Sequence, residues 1–237
     1  MVEPGFATGE LVDDFHHFRA IVRHRAGVVT DVQGESVRYP WDTCPGASEP
    51  LKQLVGMRLE GSLRAASRHT SSHTQCTHMF DAAAIAIARL GRNRGSVRYA
   101  MVVPDRREGR ARVELARDGV KLLAWDLSES EITGPEPFRG HSLGSGLSNW
   151  AEKDLDPDIS EAVLLLQRAC VISGGRTMDL ERIDRADRVQ PNPMGRCHTY
   201  QPERVTLGWR RIGSIRNLTQ VDDVVEASLA PAPEGPN

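Results

Sequence analysis

Apolar and polar positions change period several times along the chain. Val28, Val29, Val32 and Val37 flank Gln33-Gly34, a pattern that predicts a hairpin turning at that dipeptide. Residues 20–23 and 27–32 read as short strands, and Tyr39-Pro40-Trp41 ends the run because proline cannot donate to a ladder. Ser48, with Pro50 in the first turn and Gly56 as the stop, marks a short helix. From Thr77 the period becomes helical. Phe80, Ala84 and Ile87 recur three or four apart, with Thr77 as the cap and Gly91 as the stop. Residues 97–103, 111–115 and 121–127 then read as strands, separated by residues 106–109 and by Asp118-Gly119, a strong hairpin signal. Asp156-Pro157 opens a helix with the stripe Ile159, Val163, Leu166 and Cys170, and Gly174-Gly175 closes it. Residues 205–215 predict a last strand or pair.

Strands joined by tight turns point to an antiparallel sheet, here with about three helices packed on it. The expected class is α+β in a single domain over residues 11–226. Residues 1–10 and 227–237 lack periodicity and are expected to be a flexible N-terminus and a disordered tail. The Pro/Gly-rich stretch 134–146 is a candidate seam, too short to be a linker.

The 237 residues are long enough to bury a substantial core. Thirty basic against 32 acidic residues leave a formal charge of −2, which argues against nucleic acid as partner. Three of the basic residues, Lys52, Lys121 and Lys153, are lysine and the rest arginine. No apolar stretch is long enough for a bilayer, and the N-terminus lacks the basic-then-apolar pattern of a signal peptide. Four cysteines, Cys44, Cys76, Cys170 and Cys197, do not suggest a disulfide framework in a chain of this length. The setting expected is soluble and cytoplasmic.

No Walker-type loop or Rossmann glycine fingerprint is present. Gly140-His141-Ser142-Leu143-Gly144 has nucleophile-elbow spacing but no buried strand before it, so a glycine-rich loop is the plainer reading. The richest segment runs from Arg68 to Asp81 and holds His69, His73, Cys76 and His78 ahead of the predicted helix. His78 and Asp81, three apart, share a helix face, and a carboxylate beside an imidazole fixes its tautomer and raises its basicity. A polar loop leading into a cap is the plain alternative. Cys44, Cys76, His78 and Cys197 have the ligand types of a zinc site, without any Cys-x-x-Cys pair. Asp13-Asp14-Phe15-His16-His17-Phe18-Arg19 gathers acids, histidines and aromatics, or is simply an edge strand. Arg38-Tyr39-Pro40-Trp41 sets a phenol and an indole beside an arginine, rings that suit an aromatic-binding pocket or ordinary packing.

These segments together resemble a bacterial family known as domain of unknown function 2889. The resemblance is carried by residues 13–18, by Arg38 to Trp41 and Cys44 to Ala47, and by Leu54 and Gly56. It continues through Cys76-Thr77-His78 with Asp81, Trp150, residues 197–202 and Gly213-Ser214. His198 stands where an aromatic residue is expected. The resemblance implies a role in catabolism of lignin-derived aromatics, specifically a lyase that releases formaldehyde from phenylcoumaran-type dimers and leaves a stilbene. Such chemistry needs bases near neutral pKa, a cation for the phenolate and apolar walls, and no cofactor. His78 with Asp81 is the candidate base, and Tyr39 or His73 the proton relay. Arg38 would hold the phenolate, with Trp41, His16, Cys76 and Tyr200 around the substrate. The expected partner is a small aromatic molecule rather than a membrane or nucleic acid, with a homo-oligomer left open. The competing readings are a non-catalytic aromatic or acyl binder and a zinc hydrolase using Cys44, Cys76, His78 and Cys197.

Overall fold

The computed structural model describes residues 1–3, 5–191 and 193–218. The expected tail, 227–237, lies outside them. The chain forms two compact units, so the stretch 11–226 contains one nested in the other's sequence: unit 1 runs to Ser96 and resumes at Leu180, and unit 2 is Val97–Asp179. The class is α+β with antiparallel strands throughout, as the pattern indicated. The strands divide into two four-stranded sheets rather than one, and the described residues include five α-helices rather than about three.

Unit 1 begins with four strands in sequence order, β1 (Val2–Glu3), β2 (Phe6–Val12), β3 (His17–Arg25) and β4 (Val28–Arg38). The first ten residues are therefore mostly sheet, not loose. β2 pairs with β3 along its whole length, from Phe6↔Arg23 to Val12↔His17. Its inward positions include Ala7 and Gly9, small residues that give a weak apolar signal in sequence. The β3–β4 turn is Ala26-Gly27, both with positive φ as a two-residue hairpin requires. Gln33-Gly34 is no turn, because β4 runs straight through it. A Cβ on Gly34 would lie 2.8 Å from Met79 Sδ, so this glycine serves close packing.

Two short helices follow, α1 (Ser48–Leu51) and α2 (Ala65–His69), and then α3 (Thr77–Gly91). Helix α3 lies against β2 and β3 and buries Met79, Ala82, Ala83, Ala86 and Ile87 against a sheet face carrying Ala7, Phe18, Ala20 and Val22. Its N-cap is Cys76, one residue earlier than expected; the Thr77 hydroxyl instead donates to the carbonyl of Arg196. After Leu180 the described chain is short 3-10 turns and loops. Residues 205–215 form no strand beyond the isolated bridges Trp41↔Arg210 and Arg185↔Trp209. Within this stretch Leu207, Trp209 and Ile212 are exposed.

Unit 2 holds the second antiparallel sheet, β5 (Tyr99–Val102), β6 (Arg110–Arg117), β7 (Val120–Ser128) and β8 (Glu131–Gly134). Asp118-Gly119 makes the expected β6–β7 turn, both residues at positive φ. Helices α4 (Leu147–Asp154) and α5 (Pro157–Ser173) follow, and α5 packs on β6 and β7. Asp156 caps α5 by accepting from the Asp158 N–H at 2.8 Å, with Pro157 at the first helical position. Val113, Leu115, Trp125, Ile132 and Leu166 are fully buried in this unit. No helix among the described residues is long and apolar enough to cross a membrane.

Candidate functional site

The β2–β3 connection is the four-residue turn Asp13 to His16. Asp13 opens it because its short carboxylate can satisfy nearby backbone donors: Oδ1 accepts from the N–H groups of Phe15 and His16, each at 2.8 Å. The Asp13 N–H donates to the His16 carbonyl at 2.9 Å and closes the loop. Arg38, at the end of β4, fixes the same loop from beneath. Its Nη1 donates to the carbonyl of Asp14 at 2.9 Å, and its Nη2 to those of Asp13 at 2.5 Å and His16 at 3.0 Å.

His78 reaches this turn from the first turn of α3. A helical side chain leans toward its own N-terminus, so His78 points back at the turn and away from Asp81 one turn on. Its carboxylate partner is accordingly Asp13: Nε2 lies 3.2 Å from Asp13 Oδ2. The approach is off the hydrogen-bond direction, so the contact is electrostatic and Nε2 makes no hydrogen bond. The expected His78–Asp81 pair is therefore replaced by one drawn from 65 residues upstream.

His16 completes the cluster. Its Nδ1 stands 3.0 Å from Asp13 Oδ1 and 3.2 Å from Oδ2. Its ring stacks on that of His78 with centroids 3.7 Å apart and planes at 29°. Phe18 forms an apolar wall beside both imidazoles, 5.7 Å from one and 5.9 Å from the other. The next residue, His17, points to the opposite side of the strand and meets Glu10 at 2.6 Å.

The electrostatics follow from burial and crowding. Burial by itself would raise the Asp13 pKa, but the charge and hydrogen bonding of His16, followed by the His78 imidazole alongside, overcome it and hold the carboxyl well below its usual range. His16 is pushed down to about 4, first by burial and next by His78, against the opposing pull of Asp13. At neutral pH its ring is neutral, and facing an acceptor-only carboxylate it carries its proton on Nδ1.

The other expected site residues stand elsewhere. Arg38 is buried and spends its guanidinium on carbonyls, so it positions the turn rather than holding a phenolate. Trp41 is buried between Tyr200, edge-on at 6.3 Å, and Arg210, 5.4 Å over its ring. Tyr39 lies under Arg211 at 4.8 Å. These contacts are the packing alternative for the aromatic corner. His73 is exposed on the turn before α3, where its carbonyl accepts from Gln201.

Cys44, Cys76 and Cys197 are neighbours by their mutual influence, but they are not brought together with His78 as zinc ligands. Burial, then the Cys197 thiol, pushes Cys44 up to about 12, and burial followed by Cys44 and Cys197 raises Cys76 well above the usual thiol value. These thiols are small, protonated interior residues. Among the described residues, the group whose ligand atoms all lie within 4.8 Å of one another is Asp13, His16 and His78. The sequence places His16 among the residues expected around the substrate and Asp13 only in a segment readable as an edge strand, where the structure has a turn. The available signal was the Asp-x-x-His spacing within it.

Residues 7–89 match the sequence profile of a family described as a protein of unknown function (DUF2889). The chain resembles that family over this segment, which contains Asp13, His16, Arg38 and His78. Trp150, residues 197–202 and Gly213-Ser214, also taken as family-like, lie outside the match. No curated protein and no solved structure matches the chain.

Proposed function

We propose that the protein is a lyase that acts by acid–base chemistry on lignin-derived aromatic dimers of the phenylcoumaran type. It releases formaldehyde, leaves a stilbene, and works on this small substrate in a soluble, cytoplasmic setting. The observation that carries the reading is the half-buried Asp13 carboxylate set against two stacked imidazoles at one turn. An imidazole backed by a carboxylate is a proton acceptor suited to neutral pH. The segment matching the family supplies every member of the cluster.

The reaction balances without an oxidant. Loss of the phenol proton drives electrons through the ring and expels the dihydrofuran oxygen as a phenolate, giving a quinone methide. Loss of the primary alcohol proton then breaks the carbon–carbon bond to that carbinol. Formaldehyde leaves, and the bonding pair becomes the stilbene double bond as the ring regains aromaticity. Substrate and the sum of products are isomeric. In this reading His78, with Asp13 behind it, accepts the proton, and Phe18 and the His16 ring provide a flat wall.

Incubation with a phenylcoumaran dimer should yield formaldehyde and stilbene absorbance in equal amounts. His78→Ala should lower the rate by about 100-fold or more, in the range set by loss of a general base. Equal turnover by wild type and His78→Ala, or no formaldehyde above the heat-denatured control, would overturn the reading.

A further inference from the structure

The same turn has the arrangement of a metal-binding site. Asp13 Oδ2 is 3.2 Å from both His16 Nδ1 and His78 Nε2. Two ligand atoms each about 2.1 Å from one ion, at roughly a right angle or a little more, lie about 3.0–3.3 Å apart. We propose that Asp13, His16 and His78 bind a divalent transition-metal ion of the zinc, cobalt or iron(II) class. Two imidazoles favour these over magnesium or calcium, which prefer oxygen-only shells.

Three features favour a site over a chance cluster. His78 Nε2 is buried and has no partner but the Asp13 carboxylate 3.2 Å away, so it can exchange its proton for an ion held between the two. Two backbone N–H groups fix Asp13 through Oδ1, which is also 3.0 Å from His16 Nδ1, and leave Oδ2 within 3.2 Å of a nitrogen of each ring. Arg38 clamps the carbonyls of Asp13, Asp14 and His16, giving the ligand turn the outer support that ordered metal ligands have. Three protein ligands leave coordination positions open for water or substrate, as at catalytic rather than structural sites. Bringing both lone pairs onto one ion opens the ring stack, so binding rotates the His16 ring and places its proton on Nε2.

The inference goes beyond the lyase reading and shares its residues. With an ion bound, a phenolate oxygen gains the positive charge that Arg38, tied to carbonyls, does not supply. A water on such an ion would supply the proton acceptor once His78 is a ligand.

The test uses the full chain, stripped with chelator, dialysed against Zn2+ and analysed for metal without substrate. One zinc per chain is expected. His16→Gln and His78→Gln should each weaken binding by more than about tenfold, the least that even outer partners of metal ligands cost. His69→Ala, an exposed histidine on α2, should bind as wild type. A second measurement needs no variant: Co2+ should give the visible bands of nitrogen and oxygen ligation. Zinc retention no greater than that of the His16→Gln/His78→Gln double variant would overturn the proposal. So would an intense near-ultraviolet band of cobalt–thiolate bonding. Zinc binding without lyase activity ends the lyase reading alone, and lyase activity in the stripped protein that binds no zinc ends this one alone.

Discussion

Arg38 Nη1 donates to the carbonyl of Ser214 at 3.0 Å, across 176 positions of sequence. The same guanidinium holds the turn of Asp13 to His16, so one side chain ties the C-terminal stretch of the described chain to the candidate site. A lysine has a single ammonium and cannot reach both sets of carbonyls. Hydrogen bonds from charged groups contribute about 1.5–3 kcal/mol each, so Arg38→Lys should cost roughly 3 kcal/mol. Urea unfolding would show a lower midpoint with little change in slope. Equal midpoints would mean that the clamp contributes nothing net.

Gly9 of β2 sits against α3 with no room for a side chain. A Cβ there would fall 2.0 Å from the Ala82 carbonyl oxygen and 2.7 Å from its carbon. Both are backbone atoms and cannot swing aside. Gly9→Ala should therefore push α3 off the sheet and destabilise the fold by about 1–3 kcal/mol or more. Because His78 rides on the same helix, activity and zinc binding should fall together. A thermal melt matching wild type would contradict this packing.

Features fixed by neighbours in sequence were the legible ones. Asp118-Gly119 makes its turn and Asp156-Pro157 opens its helix because both depend on local backbone geometry. Gly34 looked like a turn residue, but its role comes from Met79 on α3, which only the tertiary fold brings near. The site divides the same way. His78 stood out from residue type and helix position. Its partner was misassigned because Asp81 is near in sequence, while the leaning of helical side chains favours Asp13. Likewise Arg38 suggested anion binding by type. Its use on backbone carbonyls depends on where β4 ends.

The interior cysteines make a prediction about reactivity. Only the thiolate attacks an alkylating agent, and burial raises Cys44 and Cys170 to about 12 and Cys76 well above the normal value. Cys197 is also raised, chiefly by burial, but is less enclosed. Iodoacetamide at mildly alkaline pH should leave Cys44, Cys76 and Cys170 unmodified in the native protein. Cys197 should react first, and all four should react in urea. Mass spectrometry of peptides after brief exposure checks the order. Rapid native labelling of Cys76 would show that the N-terminal end of α3 is open to reagent.

Glu10 gives the pH dependence a defined sign. Its carboxylate accepts from His17 Nε2 at 2.6 Å and from Arg19 Nε at 2.8 Å. The His17 hydrogen bond is the main cause lowering its pKa, burial opposes it, and Arg19 lowers it further. A carboxyl with a folded pKa below its unfolded value adds stability above the unfolded pKa and loses it as pH falls through the folded one. Wild type should therefore exceed Glu10→Gln in stability near neutral pH, with the gap closing as pH falls below the usual glutamate range. The group is partly exposed, so solvent screening keeps the gap to about 1 kcal/mol or less. Urea unfolding of both proteins from neutral to acid pH measures it. A gap that widened toward acid would mean that the carboxylate destabilises the folded sheet and that the pairing with His17 has the opposite sign.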